Sequence, residues 1–270
     1  MSLSRRSFLR SAPVAAGASF LLGSRVVLAQ TPVPSPVTAD GRASFPTQPP
    51  DLAREMVGAS HANLRRVKEL LAIHPTLSKA SWDWGFGDWE DALGAASHVG
   101  NREIALTLIE HGARPTIFSA AMLGQLDVVK GFIAASPGIE TTPGPHSLTL
   151  LSHAVAGGAA AEAVTTYLKT VPGADKRPDV QPLASEEMAT LTGDYVFGTG
   201  ADERIAITVA NGSLQFTRSG RSGRRLGHVG DRAFFPVGAA GVRIRFRETS
   251  EGVLLSVFDP GLVLEARRTR

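Results

Sequence analysis

The apolar residues of this 270-residue chain change their period near residue 180, and that change governs what it can fold into. Through residues 51–175 aliphatic side chains recur every three to four positions, in short runs broken by Gly and Pro. That is the spacing of paired amphipathic helices. Beyond it, YVF, RIAITV, SLQFTR, RAFFPV, VRIRFR, VLLSVF and LVLEAR read with period two or as short β-branched and aromatic runs. GTGAD, NG, GRSGRR, GAAG and SEG separate them as turns, so roughly seven or eight strands are predicted. The chain therefore reads as α+β with two domains: helices over 51–175, a linker at 176–184, and a small antiparallel β-sandwich or barrel over 185–270.

With no cysteine, disulfides, thiolate metal sites and cysteine nucleophiles are excluded, and stability rests on packing. MSLSRRSFLRSAPVAAGASFLLGSRVVLAQ opens with Arg5, Arg6 and Arg10, continues with an apolar run, and places small residues at Val27-Leu28-Ala29. Residues 1–29 thus read as a cleaved signal, followed by a Pro-rich linker at 30–50. The alternative is retention as an anchor. After cleavage no stretch is long enough to cross a bilayer. Loss of Arg5, Arg6, Arg10 and Arg25 leaves 24 basic against 25 acidic side chains, a net charge of −1. The high whole-chain isoelectric point therefore does not imply a nucleic-acid partner.

SRRSFLR resembles the twin-arginine export signal, which implies a periplasmic or secreted protein exported folded. DALGAASHVGNREIALTLIEHGARPT resembles the ankyrin consensus at Leu93, Ala96, Ser97, Gly100, Asn101, Ile104, Leu108, Ile109, Gly112 and Ala113. IFSAAMLGQLDVVKGFIAASPGI resembles it at Ala120, Ala121, Gly124, Val128, Val129, Phe132 and Ile133. Weaker copies precede and follow, so the resemblance implies an α-helical ankyrin solenoid of about four degenerate repeats. Its equivalent positions fall at residues 62, 100, 124 and 158, spacings of 38, 24 and 34. The long first spacing places WDWGFGDWE, residues 82–90, in an enlarged finger between the first two units. LTGDYVFG and the strands after it resemble the lipocalin-like β-domain appended to many secreted bacterial hydrolases.

No nucleophile elbow, S-x-x-K, H-E-x-x-H, P-loop or dinucleotide fingerprint occurs, so no catalytic residue, metal ligand or cofactor is assigned. SGRSGRR at 219–225 reads as a solvated turn, with an anion site as the alternative. His61 and His98 occupy equivalent ends of successive first helices, which stacking would hold near ~10 Å apart. At that separation they could not share one metal ion. WDWGFGDWE has two readings: aromatics filling a joint, with Asp88 or Asp91 capping the next helix, or a recognition surface. Trp82, Trp84, Asp88, Trp89, Glu90, His98 and His146 are the candidate binding residues. The ankyrin resemblance implies a scaffold holding a protein partner of the cell envelope on its concave face and Trp-rich finger. The rival to this non-catalytic scaffold is a small-ligand or metal-dependent enzyme or binder using the His/Asp/Glu cluster or a cavity in the β-domain.

Overall fold

The computed structural model describes residues 47–200, 202–219, 221–259 and 262–269. The leader and most of the proline-rich linker lie outside them. Four helix pairs come first: α1 (Pro50–Ala59) and α2 (Leu64–Ile73); α3 (Ala92–His98) and α4 (Arg102–Glu110); α5 (Ile117–Met122) and α6 (Leu126–Ala135); α7 (Leu150–Ala156) and α8 (Glu162–Leu168). Side-chain caps fix most of the starts. Asn63, Asp91, Asn101, Thr116 and Thr149 each accept a backbone N–H from the first turn of the helix they precede. Of the two aspartates proposed as the cap of α3, Asp91 is the one used. Met56, Val57, Leu71, Leu93, Ile104 and Leu108 fill one apolar core, and Ile117, Val129, Leu150, Val164 and Leu168 a second.

These helices do not form the expected ankyrin solenoid. In a solenoid each unit touches only its neighbours, whereas α3 packs on α1 and α5 and also on α7, past the unit between. The 24-residue spacing leaves no room for a finger before α5, which is a six-residue helix. The chain at Gly100 meets α7 directly: a Cβ there would lie 2.1 Å from the carbonyl oxygen of Ala156. Gly100 also has φ +75°, a conformation L side chains resist, so glycine is needed twice over. Gly157 approaches the Met122 carbonyl as closely, and the helices close on one another instead of extending in a row.

α9 (Ser185–Leu191) leads into a closed antiparallel barrel of β3 (Gly193–Val196), β4 (Arg204–Ala210), β5 (Ser213–Arg218), β6 (Arg224–Gly230), β7 (Ala233–Pro236), β8 (Arg243–Thr249), β9 (Gly252–Asp259) and β10 (Leu262–Arg268). The barrel is the outcome of the two architectures left open by the sequence. Each strand pairs with the next and β10 pairs back with β3, Arg268 opposite Tyr195, which removes both free edges. Asn211-Gly212 joins β4 to β5 with both residues at positive φ, the two-residue hairpin that the NG dipeptide predicts. Inward positions carry Tyr195, Ile205, Phe216, Phe234, Ile244, Phe246 and Leu255, so the interior is a packed core. No helix among the described residues is long and apolar enough to cross a membrane.

The long connection from α2 to α3 forms a hairpin, β1 (Ser81–Asp83) and β2 (Trp89–Asp91), with Trp82 opposite Glu90. Gly85 and Gly87 turn it at φ +113° and +75°. Phe86 between them also has positive φ, strained for an aromatic residue. Its ring stands edge-on to Phe216, 5.3 Å between centroids, and packs against the barrel core. The hairpin thus has its base among helices and its tip on the barrel, which is what positions the acids between them.

Candidate metal centre

Alternation along an extended chain sends Asp88 and Glu90 to one side and Trp89 to the other. Asp88 and Glu90 are 3% and 1% exposed, while Trp89 is 64% exposed. Two carboxylates buried this deeply need partners, because desolvation alone would make their charged forms unfavourable. Histidines and one arginine supply them.

Glu90 sits at the centre. Its Oε2 accepts a hydrogen bond from Trp84 Nε1 at 2.7 Å and lies 3.5 Å from His61 Nε2. Its Oε1 lies 2.9 Å from His98 Nε2 and 3.4 Å from His146 Nε2. Neither contact has hydrogen-bond alignment, so Oε1 of Glu90 and Nε2 of His98 are buried without a hydrogen-bonding partner. One ligand atom from each of His61, Glu90, His98 and His146 lies within 4.8 Å of the others. Donors on a tetrahedral ion with ~2.0–2.1 Å bonds stand roughly 3.3 Å apart, so the set needs only small side-chain adjustments to close on one ion.

The distant ring nitrogens of His61 and His146 are already committed. His61 Nδ1 faces the carbonyls of Val57 and Gly58 at 3.1 and 3.2 Å. His146 Nδ1 is 2.7 Å from Asp88 Oδ2, and the His146 backbone N–H donates to Asp88 Oδ1 at 2.8 Å. A carboxylate on Nδ1 fixes the tautomer that presents Nε2, the second-shell arrangement of metal-bound histidines. Asp88 is anchored in turn by Arg224 Nη1, while Nη2 of the same side chain donates to the Trp84 carbonyl at 2.8 Å. His146 and Ser147 both hold positive φ, at +57° and +59°. Such strain persists only where surrounding contacts enforce it, and Asp88 and the Ser147 hydroxyl on the Gly238 N–H do so here.

The electrostatics follow from this wiring. Burial pushes the Glu90 carboxyl up, but the contacts with His146 and His98 and the Trp84 bond outweigh it and hold it at about 2. Asp88 is likewise lowered: burial opposes, and His146 and Arg224 prevail. In the metal-free protein Asp88, followed by Glu90, raises the His146 imidazole to about 9 against its own burial, so a metal binding at Nε2 would displace a proton. Glu90 is therefore a permanent anion in a pocket where three imidazoles converge.

The sequence-derived candidates divide cleanly. Asp88, Glu90, His98 and His146 meet in one cluster, with Trp84 as a donor to it. Trp82 is half-buried on the helical core with the Arg54 guanidinium 6.0 Å from its ring, and Trp89 projects away. The expected ~10 Å between His61 and His98 is corrected to 5.0 Å between ring centroids. That expectation used the spacing of helix axes, whereas both imidazoles extend from adjacent helix ends into the gap. His61 belongs to the site for that reason. Arg224 also belongs to it, 136 residues from Asp88 and hidden within a turn-like SGRSGRR. No protein-family model, no curated protein and no solved structure matches the chain.

Proposed function

We propose that this chain is a metal-binding protein, holding one divalent transition ion on His61, Glu90, His98 and His146. The observation that carries the reading is the convergence of three imidazole Nε2 atoms on a buried Glu90 whose Oε1 has no aligned hydrogen-bond donor. Buried polar atoms without partners are rare and call for a ligand. Three nitrogens and one oxygen suit zinc, iron, nickel or copper better than magnesium or calcium, which favour all-oxygen sites. Four protein donors would complete a tetrahedral shell, the coordination typical of a structural ion.

The twin-arginine-like leader fits the same reading, because that route carries folded proteins and many of its cargoes hold cofactors. We place the mature protein in the periplasm or outside the cell. Elemental analysis of protein purified without chelators tests the proposal: near-stoichiometric transition metal is expected, falling sharply in Glu90→Gln and His98→Ala. A chain that stays metal-free after incubation with zinc, iron, nickel and copper salts would refute it. Exposed Trp89 favours a second reading, a docking point for an envelope protein, since tryptophan is a common interface anchor. Crosslinking in cells with Trp89→Ala as the control tests that role separately.

A further inference from the structure

His146 lines a cleft of about 330 Å³ whose walls are Arg54, Trp82, Trp84, Arg224 and the 221–225 segment, with no carboxylate among them. Arg54, Arg221 and Arg225 are exposed and make no ion pair among the described residues, whereas Arg224 is held by Asp88. Three guanidiniums without carboxylate partners around one cavity give it a positive potential that attracts an anion. Arginine's planar fork suits carboxylate and phosphate oxygens. A second cavity, about 440 Å³, shares Trp82, Trp84, Arg221, Ser222 and Arg224 with the first and continues over Phe86, Phe216 and Val257, with Arg218, Asp83 and Asp259 also in its wall. One end is cationic and reaches a candidate metal ligand; the other is aromatic, with one further arginine and two aspartates in its wall. Together they fall within the size range of small-molecule sites, apolar walls with a few convergent polar groups.

We infer that this double cleft binds an organic anion, a phosphate or carboxylate carried on an apolar or aromatic body. Its charged oxygens sit between Arg54, Arg221 and Arg225 and face His146, and its body lies along Trp82, Trp84 and Phe86. The inference rests on the metal reading only for what lies at the inner end of the cleft. The 221–225 segment thereby gains a function beyond leading into β6.

Trp82 and Trp84 line the cleft and report on it directly. Phenyl phosphate, inorganic phosphate and benzyl alcohol are titrated against tryptophan fluorescence in metal-loaded and chelator-treated protein. Saturable quenching is expected with phenyl phosphate, at least about tenfold tighter than inorganic phosphate and absent with benzyl alcohol, since the site needs both charge and body. Arg221→Ser with Arg225→Ser, two exposed changes that leave the cores intact, weakens phenyl phosphate by tenfold or more. No saturable response in the metal-loaded wild type, or equal affinity in the double variant, overturns the inference. Tighter binding of oligo-dT than of phenyl phosphate also overturns it, giving the arginines to a polyanion. Loss in the double variant with no effect of chelation supports the anion site and counts against the metal reading alone.

Discussion

Replacing Asp88 with asparagine keeps the shape of the side chain and removes the charge that orients His146. In the wild type this carboxylate accepts the His146 backbone N–H at 2.8 Å, contacts Nδ1 at 2.7 Å, and neutralises Arg224, whose side chain is only 16% exposed. The asparagine oxygen can still accept one of these bonds, and its NH2 is repelled by the donors around it. Second-shell losses of this kind cost ~10–100-fold in metal affinity, or about 1.4–2.7 kcal/mol. A further destabilisation at or below the lower end of the ~3–5 kcal/mol for a broken buried ion pair is expected, because Arg224 keeps only its bonds to the carbonyls of Val237 and Trp84. Competition against a chelator of known affinity measures the first effect, and thermal melts of the metal-free protein the second. Metal affinity unchanged in a folded Asp88→Asn protein would refute the claim that Asp88 positions His146.

Three other outcomes follow from the same contacts. His153 is fully buried with Nδ1 on the Thr149 carbonyl, and burial holds its pKa down at about 4, so its neutral form is the native one. Its contribution is present above the unfolded value near 6.5 and is lost as pH falls toward 4. The stability difference between wild type and His153→Leu should therefore shrink by roughly 2–3 kcal/mol over that window, and a constant difference would count against a neutral native imidazole. Gly100→Ala adds a strained φ, ~1–2 kcal/mol, to a clash with the Ala156 carbonyl, ~1–3 kcal/mol. A denaturant midpoint close to wild type would mean that α3 does not press on α7 as described. Trp84→Phe keeps the ring but removes the Nε1 donor from Glu90, a bond to a charged group worth about 1.5–3 kcal/mol, while Trp89→Ala should change stability by under about 0.5 kcal/mol. Equal losses at the two positions would contradict their different burial.

Much of the local structure was legible because it depends on residues close together in the chain. The NG turn, a cap at Asp88 or Asp91, the strand alternation and the glycine turn within 82–90 are short-range signals, and the structure has them, with Asp91 as the cap. The helical order was not legible. Spacings of 38, 24 and 34 resemble repeats, yet only the contact of Gly100 with Ala156, between units that are not sequence neighbours, shows that the helices close up. The site divides in the same way. Asp88 and Glu90 were visible as acids of the enlarged finger, His98 as a histidine at a helix end, and His146 as one in the turn before the last helix pair. Arg224 was hidden because nothing local distinguishes a structural arginine from its neighbours in SGRSGRR. His61 was set aside because helix spacing was taken for side-chain spacing.

WDWGFGDWE is thus divided by its own alternation: Trp82 and Trp84 pack inward, Phe86 reaches the barrel, Asp88 and Glu90 face the histidines, and Trp89 faces outward. The most direct test of the central claim is anomalous diffraction, collected above and below the absorption edge of the metal found in the purified protein. The account predicts one strong peak bounded by His61, Glu90, His98 and His146, with bonds of about 2.0–2.2 Å if the ion is zinc. A metal peak elsewhere, or a metal-loaded crystal with none between these four side chains, would contradict it.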